Sequence, residues 1–332
     1  MQGRSRSDMY GPSHYSDQYK SSVTELVVTF PKDADGFVGR CCPNGNCKKY
    51  FKIDPTTGLS GSDAEIHCPY CGHGERTSAF ATQEQIDYGN SLLHRQVLEE
   101  SVKRLQAMSA RAFKSAPFPM WTEIQCDEVP VQHYKEQILE THVNCNKCAL
   151  RFAIYGVFGL CPSCTQHNSD VILQANLEII RKTLALAASL TDAEMKSKMI
   201  ASALTDCVAA FDGFGRETCR AFSCKAVSPP KAEEIRFQNL NSARNHVKAQ
   251  FGVDLSACVS ANEWTSLVCA FQKRHLLAHK MGVIDEDYLE KTSQNKSLLG
   301  RKVALTHGEV IEIHALIGRV ASELFRLLEA KT

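Results

Sequence analysis

The chain has 332 residues, of which 43% are hydrophobic and 23% are charged, and its formal net charge is +1. That length is enough for two or three compact units of a globular protein. A strong nonspecific nucleic-acid binder is usually basic overall, so any contact with nucleic acid must be local. No run of about 18 apolar residues indicates a membrane span, and the polar first 22 residues lack the apolar segment of a secretory signal. We therefore expect a cytoplasmic protein whose residues 1–22 are disordered.

The 15 cysteines need an explanation other than disulfides, because the cytosol keeps thiols reduced. The first group occupies "CCPNGNC" and "HCPYC". Cys68 and Cys71 bracket two residues, a tight turn that directs two thiolates at one ion. Their partner Cys47 pairs across four residues with Cys42 or across five with Cys41. We favour Cys42, because a proline follows it as a proline follows Cys68.

Two histidines and a basic run lie close to these cysteines. His67 and His73 are alternative metal ligands, although His73 is more typical of a surface residue. The run "KKYFK", Lys48 to Lys52, is a candidate nucleic-acid patch of basic and aromatic side chains, with a solvated strand face as the alternative. A closed site of four cysteines has no open coordination position, so zinc bound here would not activate water. It would supply folding energy to a module too small to bury its own core.

A long helix is predicted after the first cysteine group. It covers residues 82–113, with an early interruption at Gly89, and two prolines in "KSAPFPMW" end it. We interpret this helix as a connector that sets the spacing between two zinc modules.

The second cysteine group is more regular than the first. Two pairs with the C-x-x-C spacing flank 12 intervening residues: Cys145, Cys148, Cys161 and Cys164. The intervening "LRFAIYGVFGL" is rich in aromatic and β-branched residues, which favours a hairpin of two strands. Four soft ligands on two facing turns suit tetrahedral zinc. Both groups resemble zinc ribbons, over residues 36–75 and 141–168, so we expect two structural zinc ions per chain.

Strand signals end near residue 170 and helical patterns follow, which predicts an all-α bundle. Ser169 or Asp170 is expected to cap the first helix, and Thr191 to cap the second in a capping box with Glu194. Apolar residues of the last helix recur at spacings of three and four, as in a narrow seam for close helix packing, and we expect this seam to contribute to a dimer. The seam consists of Val310, Ile313, Ile317, Val320, Leu324 and Leu327.

A helix that begins near Ala261 carries Arg274, His275 and His279 at its last turn. At 100° per residue, His275 falls inside the apolar stripe, and Arg274 and His279 flank it about 140° apart. Gly282 suits the left-handed conformation that ends a helix. Because the flanked stripe must pack on another helix, a second copy of this helix would bring Arg and His of both chains into one cleft. The stripe consists of Trp264, Leu267, Val268, Phe271 and Ala278.

An arginine, a polar residue, three further residues and a histidine at a helix end resemble the motif of the HEPN domain family. Here "RHLLAH" supplies Arg274, His275 and His279 in that order, and the resemblance covers residues 170–332. Family members with an intact motif are typically metal-independent endoribonucleases that dimerise with the motif at the interface, and others only bind RNA or hold complexes together. They occur in toxin–antitoxin, antiphage and RNA-processing systems. The resemblance therefore implies RNA as substrate, a homodimer, and a protein partner or antitoxin.

The residue types suit cleavage of RNA by its own 2′-hydroxyl. His279, with a reference pKa of about 6.5, can act as base or acid, and Arg274 can bind phosphate oxygens. His275 can orient one of these groups or contact the substrate; alternatively it is a core histidine. His275 and His279 can also bind metal as a pair, although "HLLAH" lacks the glutamate of zinc hydrolases. Glu217, on the preceding long helix, is a candidate partner for Arg274.

The sequence thus predicts an α+β multidomain protein in which two small four-cysteine zinc ribbons, built on short β-hairpins, precede an all-α, HEPN-like helical bundle. The expected function is a metal-independent endoribonuclease that leaves 2′,3′-cyclic phosphate ends, without a catalytic metal. The alternatives are a non-catalytic RNA- or protein-binding adaptor and a purely structural dimerisation protein. The expected divisions are a disordered N-terminus (1–22), zinc ribbon 1 (23–80), a helical connector (81–118), zinc ribbon 2 (119–168) and the bundle (169–332).

Overall fold

The computed structural model describes residues 28–61, 63–113 and 129–331. Short antiparallel strands occupy the cysteine-rich N-terminal part and helices occupy the C-terminal part, so the predicted α+β class is confirmed. The predicted disordered N-terminus (1–22) lies outside the described residues, as does the end of the predicted connector. No helix within the described ranges is both long and apolar enough to cross a membrane.

Six short strands form two antiparallel sheets in the described part of the chain. The larger sheet has the order β1-β2-β6-β5, and the smaller sheet consists of β3 and β4. Each cysteine group lies in the turns that follow or connect these strands. The strands are β1 Val38–Cys41, β2 Tyr50–Ile53, β3 Glu65–His67, β4 Gly74–Arg76, β5 Thr141–Asn144 and β6 Arg151–Ile154.

The two cysteine modules share one sheet, because β2 of the first module pairs with β6 of the second. Lys52 lies opposite Ala153, and Ile53 lies opposite Phe152. The modules also share one hydrophobic core. The predicted role of the long helix as a spacer between two ribbons is therefore wrong, since the ribbons contact each other directly. The shared core includes Phe51, Ile53, Ile66, Phe80, Val143, Leu150, Phe152 and Ile154.

Helix α1, Gln83–Phe113, occupies the predicted range and is anchored to the sheet at its first turn. Thr82 and Gln85 form a reciprocal cap, in which each side chain accepts a hydrogen bond from the other residue's backbone N–H at 3.2 Å. The Gln85 amide also donates to the carbonyl oxygen of Gly39 in β1 at 2.9 Å. The start of the helix is therefore part of the β-region.

Seven α-helices follow within residues 169–331. The four long ones form the bundle, and the short ones connect them. Their bounds are α2 Ser169–Ser189, α3 Ala193–Ala221, α4 Pro229–Glu233, α5 Leu240–Phe251, α6 Ala261–His279, α7 Glu286–Thr292 and α8 His307–Ala330.

Two helices begin next to the residues that the sequence pattern favoured. Asn168 is the N-cap of α2, whose first residue is Ser169. Asp192, and not Thr191, is the N-cap of α3, and its carboxylate accepts from two backbone N–H groups, including that of Glu194. The Asn168 side chain makes no capping hydrogen bond, and instead accepts from the Gly159 N–H at 2.9 Å.

Helix α8 lies at the centre of the bundle, where it packs on α2, α3 and α6. Five of its six predicted seam residues are buried in this chain's own core, and Leu327 packs partly against it. Leu316, Ala321, Phe325 and Leu328 widen the buried face beyond a narrow seam. The expectation that this seam contributes to a dimer is wrong, because the chain itself covers it.

Candidate functional site

Four thiols of the first cysteine group meet at one point. The Sγ atoms of Cys42, Cys47, Cys68 and Cys71 lie within 4.8 Å of one another. The distance from Cys42 to Cys71 is 3.7 Å and that from Cys47 to Cys68 is 3.8 Å. A tetrahedral ion with metal–sulfur bonds of about 2.3 Å requires sulfurs about 3.8 Å apart, well beyond a disulfide bond. This cluster includes Cys42 and leaves out the alternative ligand Cys41.

The second cysteine group gives a matching cluster. The Sγ atoms of Cys145, Cys148, Cys161 and Cys164 also lie within 4.8 Å of one another. The pairs Cys145–Cys164 and Cys148–Cys161 are each separated by 3.5 Å. Each cluster can therefore hold a metal ion in a closed, four-sulfur site.

Each cluster is built from two turns with a common backbone conformation. In the turn at Cys145, the N–H of Ala149 donates to the Cys145 carbonyl at 3.0 Å, and the N–H of Cys145 donates to the Leu150 carbonyl at 2.9 Å. The residue after the second cysteine has a positive φ in all four turns, and only one of the four is glycine. A left-handed conformation costs a non-glycine residue about 1–2 kcal/mol. These residues are Lys48 (48°), Gly72 (71°), Ala149 (61°) and Thr165 (58°).

At least one thiol of each cluster would remain protonated at neutral pH without a cation. Burial raises the pKa of Cys42 and of Cys164, each to about 11. For Cys71 the effect of burial is outweighed by hydrogen bonds to its sulfur, including one from the backbone N–H of His73, and its pKa is lowered. A bound dication stabilises the buried thiolates, so the thiols that are protonated in the metal-free protein release their protons when the metal binds.

The two histidines beside the first centre lie outside the sulfur cluster. The Nε2 atom of His73 is 3.3 Å from the carboxylate of Glu75 at the surface. The Nδ1 atom of His67 is buried and has no hydrogen-bond partner among the described residues. The four cysteines therefore supply a complete ligand set without either imidazole.

The run "KKYFK" is divided between two exposed lysines, Lys48 and Lys49, and a buried part that belongs to β2. Tyr50, Phe51 and Lys52 are all buried in β2. The Lys52 ammonium lies 2.6 Å from the carboxylate of Asp33, which neutralises it. The solvated strand face predicted for this run is wrong, because pairing with β6 makes β2 a central strand covered on both faces. A nucleic-acid patch would be limited to Lys48 and Lys49.

The Arg-His cluster lies at the C-terminal end of α6. The helix starts at a capping box formed by Ser260 and Glu263. At the other end Arg274 is half-buried, whereas His275 and His279 are exposed. The imidazole rings of the two histidines adjoin, with centroids 4.9 Å apart. The sequence-based placement of His275 inside the buried stripe is therefore wrong.

His275 is exposed because the predicted stripe of α6 is no longer covered in the last turns of the helix. The stripe is buried only as far as Phe271, and Ala278 at its predicted end is exposed. In the last turns Leu276 packs instead against a separate small cluster formed by Ile284, Tyr288 and Leu289. The side of α6 that would continue the stripe is thus open beside the two histidines.

Arg274 has no ion-pair partner within the described ranges. Its Nε atom is buried and makes no hydrogen bond there. The suggested partner Glu217 lies instead 2.7 Å from the guanidinium of Arg220, three residues along α3. A guanidinium without a carboxylate keeps its donors for an external anion.

Two exposed cations lie on a short antiparallel clip that follows α6, in which residues 282–284 pair with residues 301–303. The Val303 N–H donates to the Gly282 carbonyl at 2.8 Å, and the Ile284 N–H donates to the Arg301 carbonyl at 2.9 Å. Arg301 and Lys302 are exposed, and neither forms an ion pair with a described residue. Sequence patterns did not single out these residues, because the pairing joins segments that are 17 or more residues apart.

A cavity of about 370 Å³, lined by apolar side chains and by Asn176 and Asp206, lies between α2, α3 and the loop after β6. Ile179 on α2 and Val157 on the loop are 62% and 48% exposed. Small residues of α3, including Gly213, line the opposite side. The cavity is a candidate contact site for an apolar group, and the sequence analysis did not detect it.

Comparisons with known proteins give no match: no protein-family model, no curated protein and no solved structure is significantly similar to the chain. The site's geometry and the residue chemistry therefore carry the functional argument.

Proposed function

We propose that the chain is a metal-independent endoribonuclease of the HEPN type, which acts as a homodimer. The observation that carries this proposal is the cluster at the end of α6. There Arg274 has no carboxylate partner among the described residues. Two exposed imidazoles follow it along the chain, that of His275 one residue later and that of His279 five residues later. This is the combination of cation and titratable groups that RNA cleavage requires, in the order found in the family that the sequence resembles.

In the proposed reaction the 2′-hydroxyl of the substrate attacks the adjacent phosphorus, and the bond to the 5′-oxygen breaks. The imidazole of His279 suits removal of the hydroxyl proton or protonation of the leaving oxygen, because an imidazole nitrogen can accept or donate a proton. The guanidinium of Arg274 stabilises the negative charge of the pentacoordinate phosphorus. The products are a 2′,3′-cyclic phosphate and a 5′-hydroxyl.

A second chain is part of the proposal, because one helix does not bring these groups together. Arg274 and His279 lie about 140° apart around a regular helix. Two copies of the exposed last turn, which includes Ala278, would bring both sets of side chains into one cleft. The buried seam of α8 takes no part in this contact.

The substrate would be held near this cleft by local cations. Arg301 and Lys302 are exposed on the clip that follows α6, and each can contact a phosphate of the RNA backbone. A local patch agrees with the overall net charge of +1, which provides no general attraction for nucleic acid.

We further propose that the ion in each cysteine cluster is zinc. Four thiolates in tetrahedral arrangement are the preferred ligands of structural Zn²⁺, and the closed geometry gives the ion no open position for water. The zinc modules would then hold substrate or a partner protein, in the cytoplasm, in a toxin or antiphage setting.

Incubation of the purified protein with mixed RNA tests the nuclease. We expect cleavage that persists with a chelator under conditions in which the structural ions remain bound. His279→Ala should lower the rate about 10²- to 10⁴-fold, the usual share of acid–base catalysis. His246→Ala, which removes a histidine on α5, is the matched control and should retain the wild-type rate. Equal rates for both variants would contradict the assignment.

The second candidate function is a non-catalytic adaptor that binds RNA or a protein. The cavity between α2 and α3 favours a protein partner, since exposed apolar side chains at its edge, such as Ile179, gain from being covered. Absence of RNA cleavage together with tight binding of a partner protein would favour the adaptor.

A further inference from the structure

We propose that His275 and His279 together form a reversible transition-metal site, which inhibits the nuclease when it is occupied. This site is separate from the two cysteine clusters. Its metal binding stands on the geometry of the two imidazoles alone, whereas its inhibitory role rests on the proposed function.

The ring geometry agrees with two ligands on one ion. An imidazole nitrogen binds Zn²⁺ at about 2.0–2.1 Å, which puts the ring centre about 3.2 Å from the metal. If the angle at the metal between the two rings lies between 90° and the tetrahedral angle, the ring centroids are roughly 4.5–5.2 Å apart. The centroids of His275 and His279 are 4.9 Å apart, within that range. The two residues are four apart on one helix, which holds them side by side without a loop rearrangement.

The surroundings of the pair allow an ion to bind. Both side chains are exposed, and neither ring has a hydrogen-bond partner among the residues that the structure describes, so no contact has to break first. The ammonium of the adjacent Lys280 is neutralised by an ion pair with Asp285. Arg274 keeps its positive charge next to the pair and opposes a dication. We therefore expect weaker, reversible binding than in the four-thiolate clusters.

The chemistry of the pair determines both the ion and its effect. Imidazole ligands favour zinc, copper and nickel over magnesium or calcium. A coordinated nitrogen has no lone pair with which to accept a proton. Occupation of the site thus removes His279 from proton transfer and places an ion in the proposed cleft. Free transition metal would then act as an inhibitor of a nuclease that needs no metal for its chemistry.

Equilibrium dialysis of tag-free protein against zinc, followed by elemental analysis, tests the site. Wild-type protein should bind one more ion per chain than it retains after dialysis against zinc-free buffer. His275→Ala and His279→Ala should each lose this additional ion and keep the retained ones. His246→Ala changes an exposed histidine whose Nδ1 atom lies 3.3 Å from the Ser242 hydroxyl, and it should bind like the wild type. An additional ion that persists in both site variants, or that never appears in the wild type, overturns the proposal.

A cleavage assay separates this proposal from the nuclease itself. Zinc should lower the rate of the wild type at least tenfold, and the ratio of rates with and without zinc should approach one in His275→Ala. Because the rates with and without zinc are compared for the same protein, a change in the basal rate of a variant does not affect the ratio. If the additional ion binds but no RNA is cleaved, the metal site stands and the nuclease fails. If RNA is cleaved at a rate that zinc does not change, the inhibitory role fails and the nuclease stands.

Discussion

Cys145→Ser should release the metal of both cysteine clusters, although it removes a ligand from only one. Structural zinc supplies about 10–16 kcal/mol to the folding of small modules, whereas the whole free energy of unfolding of a domain is about 5–15 kcal/mol. The loss of one ion is thus comparable to the total stability of the β-region. Because β2 of the first module pairs with β6 of the second, and Phe51 and Phe152 share one core, the two clusters should unfold together.

The assay is elemental analysis of the purified variant combined with far-ultraviolet circular dichroism. We expect the metal content to fall from about two ions per chain to nearly none, while the helical signal of the separate bundle core largely remains. Cys224→Ser, which changes an exposed cysteine outside both clusters, should leave the metal content unchanged. A variant that keeps one tightly bound ion would refute the reasoning, because it would show two modules that fold independently.

Three further changes test the fold and the assembly. Ala149→Gly should raise the free energy of unfolding of the β-region by up to about 1 kcal/mol, since glycine relieves the left-handed φ of 61°; a destabilised variant in thermal unfolding would contradict the turn geometry. Leu267→Glu should unfold the bundle, because it places a charge in the buried core. Ala278 is exposed, so Ala278→Glu should leave the melting temperature unchanged and weaken the proposed dimer, as measured by light scattering. The Arg244 guanidinium lies 2.6 Å from the Asp254 carboxylate and lowers the pKa of that carboxyl. The ion pair therefore stabilises the fold fully above the unfolded pKa of about 3.9. This stabilisation is lost as the pH falls through the lower pKa of the folded state. The difference in free energy of unfolding between wild type and Asp254→Asn should therefore shrink below about pH 4; a difference that grows towards low pH would reverse the assignment.

Local patterns predicted the features that depend on neighbouring residues. Cysteine spacing selected the eight thiols that the structure gathers into two clusters, including Cys42 with its following proline. The helix predicted over residues 82–113 is α1, Gln83–Phe113, and the periodic seam from Val310 to Leu327 lies within α8. In both cases the signal lies within a few turns of the chain, where spacing alone fixes the geometry.

Features that depend on distant pairing escaped the sequence analysis. The contact of Lys52 with Ala153 joins residues about one hundred positions apart, so no local pattern shows that the two modules form one sheet. A helical wheel placed His275 in the apolar stripe, but it cannot show where along the helix that stripe ceases to be covered. The clip that carries Arg301 and Lys302 is likewise fixed by a pairing that the sequence does not reveal.

Cleavage of RNA that carries a single 2′-deoxy nucleotide at the scissile position tests the central claim most directly. The substitution removes the proposed nucleophile and leaves the protein, its metal and its assembly unchanged. The account predicts that cleavage at that position is abolished, while the all-ribose substrate yields a 2′,3′-cyclic phosphate. Cleavage of the deoxy substrate at an undiminished rate would contradict the mechanism, whatever the variants of Arg274 and His279 show.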